Sequence, residues 1–338
     1  MTRQYLQAAQ TILDTGTRKP NRTGVDTISA FALPMRFDLR EGFPLLTTKK
    51  ISWWHIVAEN LWFLSGEKHI GFLKKAKVGI WDKWADEDGF VPSAYGNFWR
   101  HFPVHELRTI DKAVTPPESE LLVELPAPAY NDQIAWALGE LRKNPMSRRL
   151  VVSAWAPGNA QTSALPPCHT MWALNTQNLP WLEPEATFRK DAGKPVDDLP
   201  HLCLHLTQRS CDMFLGVPYN IAGYAFILSV MAHLAGMKPG IFSHMLIDAH
   251  FYTCKPDGSM AAGGTHGEDD DALLDHLPMI GEQLQRGPRR LPRLTISDSI
   301  RELDDLKALL EAPKDEILDV FKLEGYDPHP PIKGAVAV

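Results

Sequence analysis

The chain has 338 residues, of which 44% are hydrophobic and 22% charged, and its formal net charge is −6 at pH 7. This composition is typical of a globular protein with a large buried core, and the acidic balance argues against a general nucleic-acid binder. The four cysteines show no CxxC spacing and match no zinc pattern, which fits a reducing compartment. Because the N-terminus is amphipathic and lacks an apolar core segment, we do not expect it to be a signal peptide, and no apolar run reaches the roughly 20 residues of a membrane span. We therefore expect a cytoplasmic protein.

The N-terminal part of the chain is predicted to form a helix over Tyr5–Asp14, a strand over Thr27–Asp38 and a second helix over Trp53–Leu64. Arg22 lies in the turn-rich loop after the first helix, where it is either a solvated residue or an anion ligand. Glu59 is the one acid in the apolar second helix. Burial there would raise its pKa and suit it to proton transfer, whereas on a narrow polar stripe it would be an ordinary surface acid.

The middle of the chain combines aromatic clusters with segments of unusual composition. Ile80–Trp84 and Tyr95–Arg100 together hold three tryptophans and a tyrosine, which form either core or a stacking wall for a flat ligand. A Pro- and Glu-rich stretch at 114–128 is interpreted as a surface insertion, and an amphipathic helix is predicted over Tyr130–Lys143. A second polar, Pro-rich insertion is predicted at 179–200.

Between the two insertions, Cys168 follows two prolines and stands between strands predicted at Leu150–Trp155 and Thr170–Leu174. Proline fixes φ at about −65°, so the thiol is placed on a rigid turn. Such a cysteine is either a buried structural residue or a nucleophile, and an activating neighbour decides between the two. Arg148 and Arg149 stand directly before the first strand. Adjacent strand residues point to opposite faces, so both arginine side chains can contribute to a site only at an interface.

Past the second insertion, a strand predicted over His201–Leu206 leads to Arg209 and Ser210. A guanidinium beside a short hydroxyl is a pair suited to binding phosphate. Asn220 stands near the start of a long apolar helix over Ile221–Ala235. It is either the N-cap of that helix or an amide that recognises an adjacent donor and acceptor on a ligand.

The last quarter of the chain is predicted to contain strands over Phe242–Tyr252 and Leu291–Ile296. His250 and Tyr252, two residues apart, lie on one face of the first of these strands. The tail Glu324–Val338 holds three prolines and no helical pattern. Its apolar end is either frayed or folds over a site as a lid.

Ten motifs, in order along the chain, closely resemble those of the thymidylate synthase family, a superfamily that includes the deoxypyrimidine-monophosphate hydroxymethylases. They are NRTG (21–24), PLLTTKK (44–50), AENLWFLSG (58–66), IWDKWADEDG (80–89), YGNFWR (95–100), SRRLVVSAW (147–155), ALPPCH (164–169), QRSCDMFLGVPYNIAGYA (208–225), DAHFY (248–252) and EGYDPHPPIK (324–333). Matches in this number and order are highly specific, and the resemblance lapses only in the two insertions.

The resemblance implies a single α/β (α+β) domain over residues 1–338, whose large twisted mixed sheet is flanked by helices and forms a homodimer interface. It implies dUMP as the substrate and 5,10-methylenetetrahydrofolate as the one-carbon donor, with no metal, DNA or membrane involved. In this chemistry a cysteine adds to C6 of the pyrimidine, and C5 then attacks the methylene carbon of the folate.

The same resemblance implies roles for the residues that contact the nucleoside. Cys168 corresponds to the nucleophile, and Glu59 would organise water for proton movements around C4 and C5. Asn220 would bond N3–H and O4 of uracil, which distinguishes uracil from cytosine. His250 and Tyr252 would bond the 3′-hydroxyl of the sugar.

The remaining implied contacts hold the phosphate and the folate. The phosphate would be gripped by Arg22, Arg209 and Ser210, with Arg148 and Arg149 reaching in from the neighbouring subunit. An arginine near the thiol also favours the thiolate. The folate would meet Asp212 at the pterin, an indole wall of Trp81 and Trp84, Tyr95 near the reacting carbon, Lys49 or Lys50 at the glutamate tail, and Ala337–Val338 closing over it.

The chain departs from the family pattern at positions that flank the pocket: Ala156, Ala173, Gly223, Ile247, Cys254 and Lys255, where the family usually has Asn, Gln, Ser, Gly, Asn and His. These departures leave two products open, dTMP by hydride transfer or 5-hydroxymethyl-dUMP by addition of water. Retention of Trp81 favours methylation, whereas the altered strands favour hydroxymethylation. A non-catalytic relative that binds nucleotide or RNA is a third alternative, against which Cys168, Glu59 and Asn220 argue.

Overall fold

The computed structural model describes residues 2–21, 23–103, 130–160, 165–178, 199–256 and 273–337. The insertion predicted at 114–128 lies outside the described residues, and so does the insertion at 179–200 apart from its last two positions. Arg22 and Val338 are outside them as well. The expectations attached to these parts of the chain stay predictions.

Helices and strands are interspersed along the described chain. The helices are α1 (Thr2–Thr15), α2 (Trp53–Ser65), α3 (Gly71–Lys75), α4 (Tyr95–Arg100), α5 (Gln133–Lys143), α6 (Pro157–Ala160), α7 (Gly216–Leu234), α8 (His276–Leu284), α9 (Leu303–Ala308) and α10 (Lys314–Val320). The strands are β1 (Thr17–Lys19), β2 (Asp26–Asp38), β3 (Phe102–Pro103), β4 (Tyr130–Asn131), β5 (Val151–Ser153), β6 (His169–Gln177), β7 (His201–Gln208), β8 (Cys211–Asp212), β9 (Lys238–Thr253), β10 (Arg293–Ile296) and β11 (Phe321–Glu324).

A large mixed sheet, in the order β1-β2-β9-β7-β6-β5, organises the fold, with β8 also pairing with β9. The pairs β7–β9 and β8–β9 are parallel and the other pairs of this sheet are antiparallel. The expected α/β class with a mixed sheet flanked by helices is therefore confirmed. Because β7 and β8 both run parallel to β9, the turn between them lies beside the C-terminal half of β9.

The central helix α7 forms much of the hydrophobic core and packs on β7, β9 and α2. Among the described helices, α7 is long and apolar enough to cross a bilayer. However, 83% of its apolar stretch is buried inside the fold, as in the core helix of a globular protein. The helix begins at Gly216, and its N-cap, Leu215, makes no side-chain capping bond. Asn220 lies inside the helix, so the interpretation of Asn220 as an N-cap is wrong.

Helix α2 follows the apolar run that predicted it, from Trp53 to Ser65. It begins because the Ser52 hydroxyl accepts the N–H of His55 at 3.3 Å, and it ends at Gly66, whose φ of 78° suits glycine. Its apolar side packs against α4, α7 and α9. This contact carries Glu59 into the interior beside α7.

Two sequence predictions need correction where the chain passes between the helices and the sheet. Helix α5 starts at Gln133 rather than Tyr130, because Asp132 caps the N–H of Ala135 at 2.9 Å. The buried strand predicted over Leu150–Trp155 shortens to β5, in which Val151 is 43% exposed. Arg148 and Arg149 precede β5, so the alternation of strand faces does not apply to them.

The face of the sheet away from α7 is only partly covered by the described residues. Residues of β7 alternate strictly between half-buried and buried, and the half-buried ones form this outer face. On β2, the Phe31 side chain is 81% exposed. This half-covered face, which combines polar residues of β7 with an exposed phenylalanine, is available for contact with another protein.

Candidate active site

The backbone of Cys168 is held from two sides, directly before β6. Its N–H donates to the Tyr95 hydroxyl oxygen at 3.0 Å, and its carbonyl accepts the N–H of Arg209 at 2.8 Å. The sulfur is not part of a disulfide, and the residue is partly exposed. The turn that the two prolines predicted is thus tied to α4 and to the end of β7, and its thiol stays within reach of a ligand.

The guanidinium of Arg209 is anchored to this same turn. Its Nε donates to the Pro167 carbonyl at 3.0 Å and its Nη2 to the Pro166 carbonyl at 2.6 Å. The guanidinium carbon lies 5.8 Å from the centre of the Trp155 ring, within cation–π range. These contacts fix a positive charge beside Cys168 and leave further guanidinium N–H groups for an anion.

The carboxyl of Glu59 accepts a hydrogen bond from the indole Nε1 of Trp81 at 2.8 Å. Burial raises the pKa of Glu59 to about 7, and the indole hydrogen bond opposes that rise only in part. The rise agrees with the expectation from the apolar helix. A carboxyl that titrates near neutral pH can hold or release a proton during a reaction.

Tyr95 links the aromatic cluster to the cysteine. Its ring stacks on the His169 imidazole with centroids 4.5 Å apart and an angle of 11°, and it meets Trp81 edge-on at 6.0 Å. Burial raises the pKa of the Tyr95 hydroxyl and lowers the pKa of His169 to about 3. Both side chains are therefore uncharged at neutral pH.

The side-chain amide of Asn220 is oriented by a residue that the sequence analysis did not single out. Gln208 Nε2 donates to Asn220 Oδ1 at 3.1 Å, while Gln208 Oε1 is 2.9 Å from Nε2 of His244. Gln208 and His244 are 3% and 0% exposed. The His169 side chain also hydrogen-bonds the Asn220 side chain, so Gln208 and His169 together fix the orientation of that amide. A buried amide directly before the Arg–Ser pair was the available signal.

Asp212 and Lys49 both hydrogen-bond the backbone just before α7. Asp212 Oδ1 accepts the N–H groups of Phe214 and Leu215 at 3.0 and 3.1 Å and lies 3.6 Å from His276 Nδ1. Lys49 is 3% exposed and its Nζ donates to the Phe214 carbonyl. Burial lowers the pKa of Lys49 to about 7, against the attraction of Asp212.

His250 and Tyr252 share one end of β9, close to Ser210. Their rings meet edge-on at 5.2 Å, and the His250 Nδ1 is 3.0 Å from the Asp248 carbonyl, which leaves Nε2 for a ligand. Asp212 pairs with His250 in the β8–β9 register. The short turn through Ser210 therefore lies against this end of β9.

The other predicted contact residues lie further out. Trp84 is half-buried, whereas Lys50, Arg148 and Arg149 are exposed. Within one chain the structure does not bury either arginine in the pocket. Among the described residues no group of three or more His, Cys, Asp or Glu side chains is placed to hold a metal ion.

The C-terminal segment returns to this region. The N–H of Ala335 donates to the Leu273 carbonyl at 2.8 Å, and Nε2 of His276 is 3.0 Å from the Ala335 carbonyl. Ala337 is 8% exposed. Up to that residue the tail is packed against the protein rather than frayed. His276 contacts Asp212 and Tyr252, so the tail ends beside the expected folate and sugar contacts.

A mixed sheet that holds an accessible thiol on a proline turn, beside a fixed guanidinium and an oriented amide, defines a candidate enzyme site for nucleophilic chemistry on a bound ligand. The family model described as thymidylate synthase matches residues 3–338, nearly the entire chain. The chain belongs to the thymidylate synthase family, whose members use methylenetetrahydrofolate to transfer a one-carbon unit to C5 of dUMP.

Proposed function

We propose that this protein is a thymidylate synthase, which converts dUMP and 5,10-methylenetetrahydrofolate to dTMP and dihydrofolate. One observation carries the proposal. Two adjacent residues at the end of β7 hold the two central groups: Gln208 bonds the Asn220 amide, and Arg209 bonds the carbonyl of Cys168. A nucleophile and a base-recognising amide are thereby fixed relative to each other, which a reaction on a bound pyrimidine needs.

In the first half of the reaction, the Cys168 sulfur adds to C6 of uracil and forms a C–S bond. The electron pair of the C5–C6 double bond moves toward C5 and O4. The amide N–H of Asn220 would stabilise the charge that develops on O4, because it is a donor fixed in advance by Gln208. The guanidinium of Arg209 beside the turn would favour the thiolate that begins the addition.

Proton movements would pass through Glu59 and water near the base. The attack of C5 on the methylene carbon of the folate breaks one of the two bonds from that carbon to folate nitrogens. C5 then loses its proton while the second carbon–nitrogen bond breaks, which leaves an exocyclic methylene on C5 and frees the reduced folate. A carboxyl with a pKa of about 7 can exist in both protonation states near neutral pH. The Trp81 indole fixes one of its oxygens at 2.8 Å, so the other oxygen would act on water near the base.

The phosphate would be bound by Arg209 and Ser210 and by Arg22. Arg148 and Arg149 would be supplied by the partner subunit of a homodimer. Their exposure in one chain supports this role, and so does the half-covered outer face of the sheet. The pterin would lie between Asp212 and the indoles of Trp81 and Trp84, with the tail closing beside His276. We propose a cytoplasmic location for this dimer.

The final step separates the two candidate products. In a synthase, a hydride from the reduced folate converts the exocyclic methylene to methyl, the folate leaves as dihydrofolate, and the Cys168 sulfur departs from C6. Trp81 favours this outcome, because its indole is buried, fixed to Glu59 and in ring contact with Tyr95. An indole wall at this place would exclude the water that a hydroxymethylase adds to the same intermediate.

Product analysis tests the proposal. The protein is incubated with dUMP tritiated at C5 and methylenetetrahydrofolate; tritium release is counted and the products are identified by mass. Tritium release with dTMP and dihydrofolate is the expected result. 5-Hydroxymethyl-dUMP with tetrahydrofolate would overturn the synthase assignment, and the absence of tritium release would indicate a non-catalytic relative.

Two cysteine variants test the role of the thiol in the same assay. Cys168→Ser should abolish tritium release, whereas the matched control Cys203→Ser, on the outer sheet face, should retain it.

A further inference from the structure

A buried amide, Asn60, faces Gly223 where α2 packs against α7. Asn60 is 3% exposed, and its Nδ2 donates to the Ile56 carbonyl one turn earlier at 2.8 Å. A β-carbon built on Gly223 would lie 2.9 Å from Nδ2 and 3.2 Å from Oδ1 of Asn60. The amide thus occupies the space that any side chain at position 223 would enter.

This contact adjoins the groups that the proposed function uses. Gly223 follows Asn220 by three residues on α7, so the two share one face of the helix. Asn60 follows Glu59 directly on α2. Tyr224, next to Gly223, has its pKa raised first by burial and further by Tyr95 and Glu59, so this turn of α7 lies within electrostatic reach of Glu59.

The amide has more hydrogen-bonding capacity than its helix uses. The bond to Ile56 takes one N–H of Nδ2, and a side-chain amide has a second N–H and an oxygen with two lone pairs. Burying an amide on an apolar helix costs stability unless those groups also find partners. A water molecule that hydrogen-bonds both the remaining groups of this amide and the Glu59 carboxyl would provide such a partner.

We infer that Asn60 is a positioning residue of the pyrimidine site. Its amide holds the water through which Glu59 acts, and it supplies from α2 the polar group that is missing on α7 at Gly223, where the family usually has serine. The inference rests on the proposed function for the identity of the ligand. The two positions form a coupled pair: the amide at 60 requires glycine at 223, and a serine at 223 requires a residue at 60 that leaves it room.

A double-mutant cycle tests the coupling, with Asn60→Leu, Gly223→Ser and the double variant measured for tritium release from 5-labelled dUMP. Asn60→Leu should lower kcat about tenfold or more while KM for dUMP changes by less than about threefold, and it should shift the acidic limb of the pH profile. Gly223→Ser alone should lower Tm, because the new β-carbon meets the amide at 2.9 Å. The double variant should regain most of the lost kcat, since the serine hydroxyl replaces the amide.

The control is Ser229→Ala on α7, which removes another buried side chain bonded to a carbonyl four residues earlier, at 2.8 Å. It should leave kcat and the pH profile unchanged. If Asn60→Leu likewise changes only Tm, or if the double variant shows no recovery, Asn60 is merely structural and the inference is wrong.

A crystal structure of the unaltered protein with dUMP is the second measurement, and it does not depend on any variant folding. A water within hydrogen-bond distance of both the Asn60 amide and Glu59 supports the inference, and its absence overturns it. Failure of the proposed function gives a different result, namely no tritium release from the unaltered protein, whatever the water structure around Asn60.

Discussion

The hydroxyl of Tyr95 accepts the backbone N–H of Cys168 at 3.0 Å, while its ring stacks on His169, the next residue. The N–H of His169 points to the same oxygen at 3.4 Å. One side chain from α4 therefore fixes both the backbone that carries the thiol and the imidazole behind it. The two prolines restrict the backbone that leads to Cys168, and the Tyr95 hydroxyl fixes the backbone at Cys168 itself.

Tyr95→Phe keeps the ring stack and removes the acceptor. Because a buried N–H then lacks its partner, we expect the free energy of unfolding to fall by about 1–3 kcal/mol and kcat to fall with it. Urea unfolding and tritium release measure the two effects. Tyr5→Phe is the control: Tyr5 is equally buried and loses a 2.7 Å bond to the Met213 carbonyl, but it should keep its turnover. Equal turnover in both variants would contradict the role of Tyr95.

The raised pKa of Glu59 predicts a pH-dependent stability. The folded state holds the Glu59 proton up to a pKa of about 7, whereas the unfolded chain releases it near 4.5. The unfolded state therefore binds fewer protons between these values, so stability falls as pH rises from 4.5 to about 7. Glu59→Gln should remove this part of the fall in urea-unfolding measurements across that range. The exposed Glu87→Gln should leave the slope as it is, and an unchanged slope in Glu59→Gln would contradict the assignment.

The sequence predicted elements best where the signal was local. Helix α2 was predictable because an apolar run is bounded by Ser52 and Gly66, a serine cap and a glycine stop. Helix α7 begins earlier than expected because Pro218 is tolerated in a first turn. Since Asn220 consequently lies inside the helix, capping no longer accounts for it, and recognition of a ligand remains as its interpretation.

The support of Asn220 could not be predicted from the sequence. Gln208 and His244 are 36 residues apart and meet only because β7 and β9 run parallel in a particular register. No residue near Gln208 or His244 in the sequence indicates that these two side chains form a hydrogen bond. The contact of Asn60 with Gly223 is of the same kind, because it depends on how closely α2 and α7 approach. Side chains that support a site through tertiary contacts leave little local pattern.

Asn220→Asp should move the nucleotide preference from dUMP toward dCMP. A carboxylate cannot donate to O4. It can accept from the amino group of cytosine, and in its protonated form it can also donate to the unprotonated N3. We expect kcat/KM for dUMP to fall about a hundredfold while turnover of dCMP appears. Gln208→Leu is the matched variant, because it keeps Asn220 and removes the 3.1 Å bond that orients its amide, together with the Gln208 bonds to His244 and the Ser210 carbonyl. It should raise KM for dUMP without creating activity on dCMP. If Asn220→Asp turns over dUMP at full rate, the placement of Asn220 on the base is wrong.

The two lysines of the PLLTTKK motif should behave differently. Lys49 is 3% exposed, donates to the Phe214 carbonyl and lies 3.5 Å over the Phe214 ring, whereas Lys50 is exposed. Lys50→Ala should raise KM for a polyglutamylated folate about threefold relative to the monoglutamate, the size of an exposed ion pair. Lys49→Met should change Tm and leave that KM ratio unchanged. The reverse pattern would show that Lys49 leaves its buried position to meet the glutamate tail.

Mixing two inactive proteins tests whether Arg148 and Arg149 act across a dimer. The first is Cys168→Ala, and the second is the pair Arg148→Ala with Arg149→Ala. If the arginines complete the partner's phosphate site, a mixed dimer holds one site with both defects and one intact site. Random exchange of subunits should then restore about a quarter of the activity of the unaltered protein. Because both arginines precede β5 and are exposed in one chain, the double substitution should leave Tm within about 2 °C, since surface changes cost little. If mixing restores nothing while size measurements show mixed dimers, the arginines serve their own chain or no site at all.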